Sequence, residues 1–219
     1  MAIAAVTGLA AEARIARRAG IEAVATGGRA EETEKLVRWL LAKGATGLLS
    51  FGIGGGLDPK LKAGALVLAT AVRWDGRDWP SDPGWRGRLA ARLPGAALDR
   101  VAAAEAVVAT AAAKKSLREA SEACLVDLES GWVARLASEA GVPFAVLRAV
   151  GDPAGADIPP AALVGLARDA SIAYGAVLRS LLGHPAQLGR LIGLALETRR
   201  ALAALVGAGR ALGQGFGAV

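Results

Sequence analysis

Leu48-Leu49-Ser50-Phe51-Gly52-Ile53-Gly54-Gly55-Gly56-Leu57-Asp58 is an apolar run that ends in four glycines over five positions. A buried strand that stops this way can deliver backbone amides to an anion or a sugar. Glycine leaves no Cβ to block close approach and adopts positive φ freely. The spacing excludes two phosphate-binding rules. A dinucleotide fingerprint needs G-x-G-x-x-G opening a helix, but here the sixth position is Leu57 and Pro59 interrupts any helix. A P-loop needs Gly-Lys and then Ser or Thr, which the stretch lacks. A tight turn between a core strand and a loop is the plainer reading of the same glycines.

Outward from this stretch, where Gly47–Ile53 is the strand, apolar β-type runs recur at Ala2–Thr7, Ile21–Thr26, Ala65–Val72, Ala106–Ala109, Cys124–Asp127 and Phe144–Val150. Helical patterns alternate with them at Ala11–Ala19, Ala30–Lys43, Pro83–Arg92, Ala112–Ala120, Glu129–Ala140, Ala161–Leu182 and Gln187–Leu212. Glu31, Glu32 and Glu34 open the second helix and Lys43-Gly44 close it, as the macrodipole and a glycine C-cap favour. Strands alternating with helices predict an α/β fold. The expectation is a single three-layer domain over residues 1–219, with a mixed, mostly parallel sheet flanked by helices and a C-terminal helical segment at about 161–212. Residues 73–85 break the pattern and read as a turn-rich loop carrying Trp74, Trp79 and Trp85.

At 219 residues the chain can bury a sizeable core. Its mean hydropathy of +0.40 implies much buried surface or an oily face. No uncharged run approaches the ~20 residues that span a bilayer. Glu12 and Arg14 cut short the apolar start, which argues against a secretory signal. The single cysteine, Cys124, cannot form an internal disulfide and reads as a small buried hydrophobe in a cytoplasmic protein. A net charge of +6 suits an anionic surface. The arginines are scattered rather than grouped with aromatics, so a membrane surface fits better than nucleic acid. One histidine, His184, and one cysteine give no metal-site spacing; His184 before Pro185 reads as a turn residue.

Three acids stand at strand-to-helix junctions: Glu12, Glu129 and Asp152. Ligands of open α/β sheets bind at the carboxyl ends of strands. Helix capping explains any one of these acids, since a carboxylate at a helix N-terminus contributes about 0.3–1 kcal/mol. All three beside the glycine stretch point to a site.

The segments Val6-Thr7-Gly8-Leu9-Ala10-Ala11-Glu12, Gly52-Ile53-Gly54-Gly55-Gly56-Leu57 with Leu61–Val67, Val126-Asp127-Leu128-Glu129, and Pro143–Asp152 resemble, in order and spacing, the purine nucleoside phosphorylase/nucleosidase superfamily. Val108–Lys114, Asp152-Pro153-Ala154 and Ile158–Leu163 are similar to the hopanoid-associated phosphorylases within it. The resemblance implies roles. Asp152 would protonate purine N7, Glu129 with Leu128 would hold the ribose, and Glu12 would activate water. Gly52, Gly54 and Gly55 would line the side from which water or phosphate attacks, and Thr110 and Val150 would lie beside the purine. No cofactor is implied, with phosphate as co-substrate if the reaction is phosphorolysis.

This chain departs from the bacterial phosphorylases, which carry a phosphate-binding arginine at the Glu12 position and Arg and Ser where Leu49 and Gly52 stand. A carboxylate there repels phosphate, while Arg14, Arg73 or Arg148 could restore a cation, so phosphorolysis and hydrolysis stay open. Thr110–Lys114 is alanine-rich where nucleosidases stack the purine on a phenylalanine.

The expected function is glycosyl-bond cleavage of an adenine nucleoside with a lipid tail, adenosylhopane, in hopanoid biosynthesis. The alternatives are a hydrolytic methylthioadenosine/S-adenosylhomocysteine nucleosidase and a non-catalytic nucleoside- or lipid-binding protein. The resemblance implies a homo-oligomer. Peripheral contact with the inner face of the membrane is expected through the three tryptophans. A second route is the C-terminal helix, where leucines alternate with Arg190, Arg199, Arg200 and Arg210.

Overall fold

In the computed structural model, residues 2–163 and 187–217 are described. The chain begins with β1 (Ile3–Thr7), α1 (Ala10–Arg18), β2 (Glu22–Ala25), α2 (Ala30–Ala42) and β3 (Gly47–Gly56). The hairpin β4 (Leu66–Trp74) and β5 (Arg77–Pro80) follows, then α3 (Pro83–Arg92), β6 (Ala97–Ala103), α4 (Ala111–Ser121) and β7 (Leu125–Asp127). The last elements are α5 (Ser130–Glu139), β8 (Phe144–Asp152), the short α6 (Pro160–Leu163) and α7 (Leu188–Leu212). His184 and most of the expected 161–182 helix lie outside the described residues.

The strands form one mixed sheet in the order β2-β1-β3-β7-β6-β4-β5, and β8 pairs with both β3 and β4. Pairing through β8 closes β3, β7, β6, β4 and β8 into a ring, with β1 and β2 extending from β3. The expected mixed, mostly parallel sheet is therefore present, more curled than flat layers imply.

Alternation along the strands sends side chains to two cores. Ala4 and Leu48 join α2 and α5 residues such as Val37 and Val133 on one face. Ala5, Leu49 and Phe51 meet Ala13 of α1, Leu89 of α3 and Leu205 of α7 on the other. The C-terminal half of α7 is thus a core helix, whereas Leu188, Ile192 and Leu196 of its N-terminal half are exposed.

Four local expectations need correction. The glycine stretch is not a loop: β3 continues to Gly56, pairing with β8 and, at Gly55 and Gly56, with β7. The 73–85 segment holds the β4–β5 hairpin, whose tip Asp75-Gly76 has φ of 51° and 73°. Asp-Gly is the strongest short hairpin signal, and it lay in plain view. The tryptophans face inward: Trp79 and Trp85 are buried, Trp85 Nε1 donates to Phe216 O (3.0 Å), and Trp74 packs on Trp132. Of the three, only Trp74 is partly exposed. Finally, residues 106–109 form no strand; β6 lies earlier, and 104–109 are irregular chain leading to α4.

Candidate active site

A cavity of about 200 Å³ opens where β3, β7 and β8 end. Glu12, Leu128, Glu129, Asp152, Gly54 and Gly55 line it, with Leu9, Ile53, Val126 and Ile158. Six of the sequence-derived site residues, Glu12, Glu129, Leu128, Asp152, Gly54 and Gly55, share this one space. A wider groove of about 780 Å³ beside α4 is lined by Lys115, Glu119 and Glu122, whose side chains are largely solvated. Burial and converging charge occur in the smaller cavity.

Glu12 reaches the cavity because α1 begins at Ala10, placing it in the first turn. Its Oε2 accepts the Leu9 N–H (2.8 Å) and its Oε1 accepts the Ile53 N–H (2.8 Å). Burial pushes the carboxyl from 4.5 up to about 7, against the pull of Arg148 and the two amides. The backbone expected to cradle a foreign anion is thus occupied by the protein's own carboxylate.

Gly52 makes room for that arrangement. A Cβ there would stand 2.6 Å from Glu12 Oε2 and 2.9 Å from an Arg148 nitrogen, and φ is +153°. Gly52 does not line the cavity. Gly54 does, and its glycine is required by strand crossing: a Cβ would lie 2.7 Å from the Val126 carbonyl.

Arg148, a charged residue in an otherwise apolar strand, is the organiser that the sequence left as one of three candidate cations. It is fully buried in β8. Its Nε lies 2.7 Å from Asp127 Oδ2, and Nη2 donates to Glu129 Oε2 (3.0 Å) and Ser50 Oγ (2.6 Å). Ser130 ties this group together, bonding Asp127 and lying 2.9 Å from the Ser50 hydroxyl. Burial raises the Glu129 carboxyl above its ordinary value despite Arg148. A charge inside a β run must find partners, which is the sequence signal for this network.

Asp152 ends β8, and burial raises its carboxyl while Lys114 pulls it back. Lys114, unnoticed in the sequence, is fully buried on α4 and donates to Asp152 Oδ2, Pro153 O (3.0 Å) and Ala156 O (2.8 Å).

The expected purine neighbours are placed elsewhere. Thr110 is exposed and accepts the Ala113 N–H (3.1 Å) as the N-cap of α4. Val150 is packed in the core rather than lining the cavity. Ala106, Val107 and Val108 form that wall instead, on the segment read as a strand. Cys124 is buried and its thiol is pushed up to about 12, so it is no nucleophile at neutral pH. Among the described residues no cluster of His, Cys, Asp or Glu could hold a metal.

Three carboxyls around an apolar cavity, all raised by burial and one of them poised near neutrality, are equipped for acid–base cleavage of a bond that develops positive charge. The sequence model of the Phosphorylase superfamily matches residues 30–182, and the chain belongs to that superfamily, which makes it a glycosyl-bond-cleaving enzyme. No curated protein matches its sequence. Among solved structures it is similar to the S-adenosylhomocysteine nucleosidase of Streptococcus pyogenes bound to 5-methylthiotubericidin, at 16% identity and a TM-score of 0.67, covering 94% of each chain. The methylthioadenosine/S-adenosylhomocysteine nucleosidase of S. pneumoniae with a transition-state inhibitor has 15% identity and a TM-score of 0.67 over 97% of this chain and 100% of that one. Futalosine hydrolase of Helicobacter pylori has 17% identity and a TM-score of 0.63, over 70% and 85%. At these identities the likeness is one of fold.

Proposed function

We propose that this enzyme hydrolyses the N-glycosidic bond of an adenine nucleoside carrying an apolar 5′ substituent, with adenosylhopane as substrate and ribosylhopane and adenine as products. The observation that carries hydrolysis over phosphorolysis is the position of Glu12: its carboxylate fills the amides of Leu9 and Ile53, where an incoming phosphate would need them. The cation at this end, Arg148, is already met by Asp127 and Glu129.

In the reaction, the C1′–N9 bond breaks and its electron pair leaves with the purine. Asp152 gives its proton to N7, and Glu129 binds the ribose hydroxyls while its charge favours the oxocarbenium-like sugar. Water attacks C1′ and its proton passes to Glu12, so one water is consumed and the carboxyl protons balance. Val107, Val108, Ile158 and Leu9 supply an apolar wall for the base and the start of the tail.

A tail this apolar needs a route to lipid. The exposed Leu188, Ile192 and Leu196 on α7, followed by exposed Arg199 and Arg200, would rest on an anionic membrane surface. A cytoplasmic enzyme touching the inner leaflet, working as a homo-oligomer, completes the reading. The fold of the nucleosidases favours methylthioadenosine or S-adenosylhomocysteine as the second reading.

Adenine release is measured from adenosylhopane and from methylthioadenosine, each at equal concentration. A higher kcat/KM for the lipid-tailed substrate, with protein recovered on anionic liposomes, supports the first reading. A preference for methylthioadenosine and a wholly unbound protein support the second.

A further inference from the structure

Lys114 is hard to explain as a feature of the fold alone. It is the fourth residue of α4, whose first turn is the positive end of the helix dipole. Its ammonium is fully buried there, a second cost, and among the described residues its one ionic partner is Asp152. The helix dipole and the burial of charge both disfavour a lysine at this position, and such conflicts concentrate at functional sites.

We propose that Lys114 is a positioning residue for the cleavage reaction, holding Asp152 Oδ2 so that the other carboxyl oxygen faces the base and gives up its proton readily. The inference rests on the reading of Asp152 as proton donor. Nζ is fully committed: its three acceptors are Asp152, the Pro153 carbonyl and the Ala156 carbonyl. Asp157 next in line accepts the Ala111 N–H (2.7 Å), and Ile158 N–H donates to Ala109 O (2.8 Å). The chain that leaves β8 is therefore strapped to the start of α4, with the acid at the strap's root.

The electrostatic consequence follows. A carboxyl buried without a cation would hold its proton too tightly to be an effective acid near neutrality. Lys114 offsets that burial. Among the described residues, the other charged groups facing Asp152 are Glu197 and Arg190 of α7, which are paired with each other at 3.1 Å, and Glu12 and Glu129 across the cavity. The Glu197–Arg190 pair largely cancels, and the two cavity acids oppose ionisation, so Lys114 is the group that sets the balance.

The test is the pH dependence of kcat/KM for adenine release by the wild type, Lys114→Met and Lys114→Gln. With the cation gone, the Asp152 carboxyl titrates higher, so the alkaline limb moves to higher pH. The kcat at neutral pH falls roughly ten-fold or more, while KM changes little, as expected of a weakened general acid. An alkaline limb that stays in place in an active variant overturns the inference. Asp152→Asn separates the two claims. If it is inactive while Lys114→Met titrates like the wild type, only the Lys114 inference fails; if it turns over normally, the reading of Asp152 fails first.

Melting temperatures give a second readout that stands even where Lys114→Met alone does not fold. In Asp152→Asn the buried ammonium has lost its counter-ion, so adding Lys114→Met leaves the double variant melting no lower than Asp152→Asn. A markedly lower melting temperature would mark Lys114 as a brace for residues 153–156 and contradict the proposal.

Discussion

Glu12 Oε1 accepts the backbone N–H of Ile53 at 2.8 Å, joining the first turn of α1 to a strand position 41 residues later. That one bond places a carboxylate where the fold would otherwise offer amides to an anion. It also carries the choice between water and phosphate as nucleophile. Replacement by glutamine, Glu12→Gln, keeps the size of the side chain and removes the base, its one carbonyl oxygen accepting only one of the two amides. It is expected to lower kcat by roughly 10²–10⁴-fold, as loss of a general base does. With the carboxyl near 7, kcat/KM of the wild type should decline as pH drops below about 7. A stopped assay of adenine across pH checks both.

The same group makes stability depend on pH. Folding raises the Glu12 carboxyl from 4.5 to about 7, so the folded chain holds the proton more tightly than the unfolded one. Its contribution to stability is complete below 4.5 and is lost as pH climbs through about 7. Thermal melts of the wild type should lose this contribution over that window. In Glu12→Gln the loss over the same window should be absent, so the variant gains on the wild type at alkaline pH.

Gly52→Ala should abolish turnover while leaving most of the fold. The new methyl would stand 2.6 Å from Glu12 Oε2, in the way of the carboxylate rather than of the core. Cleavage assays and circular dichroism on the variant distinguish a displaced carboxylate from a collapsed sheet.

Arg148→Met should destabilise the protein by about 3–5 kcal/mol, because Asp127 and Glu129 are left as buried carboxylates without a partner. Arg148→Lys should recover little of this, since an ammonium cannot reach Asp127, Glu129 and Ser50 at once as the guanidinium does. Urea denaturation of the three proteins measures both effects.

Asp152→Ala is expected to stop adenine release and also to lower the melting temperature, since Lys114 is left as a buried ammonium with only its two carbonyl acceptors. Unchanged turnover would remove Asp152 from the chemistry.

Much of this was legible in the sequence where local pattern and tertiary demand coincide. Strand–helix alternation announced the α/β fold, and three acids at strand ends announced the cavity. What stayed hidden depends on partners distant in the chain. Gly52 looks like a loop glycine until Glu12 and Arg148 are seen to fill the space beside it. Lys114 reads as an ordinary helix lysine because nothing local shows that Asp152, 38 positions away, faces it. Arg148 carried a readable signal, a charge within an apolar run, but only the fold names Asp127 and Glu129 as its partners. The tryptophan hairpin is obscured for a simpler reason: Asp75-Gly76 suits irregular loop by composition as well as the two-residue turn it forms.

The most direct measurement is product analysis of adenine nucleoside cleavage with and without inorganic phosphate. The account predicts adenine release at the same rate in both, and a free reducing sugar as the only sugar product. Release that requires phosphate and yields a sugar 1-phosphate would contradict it, because Glu12 would then have to surrender the Leu9 and Ile53 amides it holds.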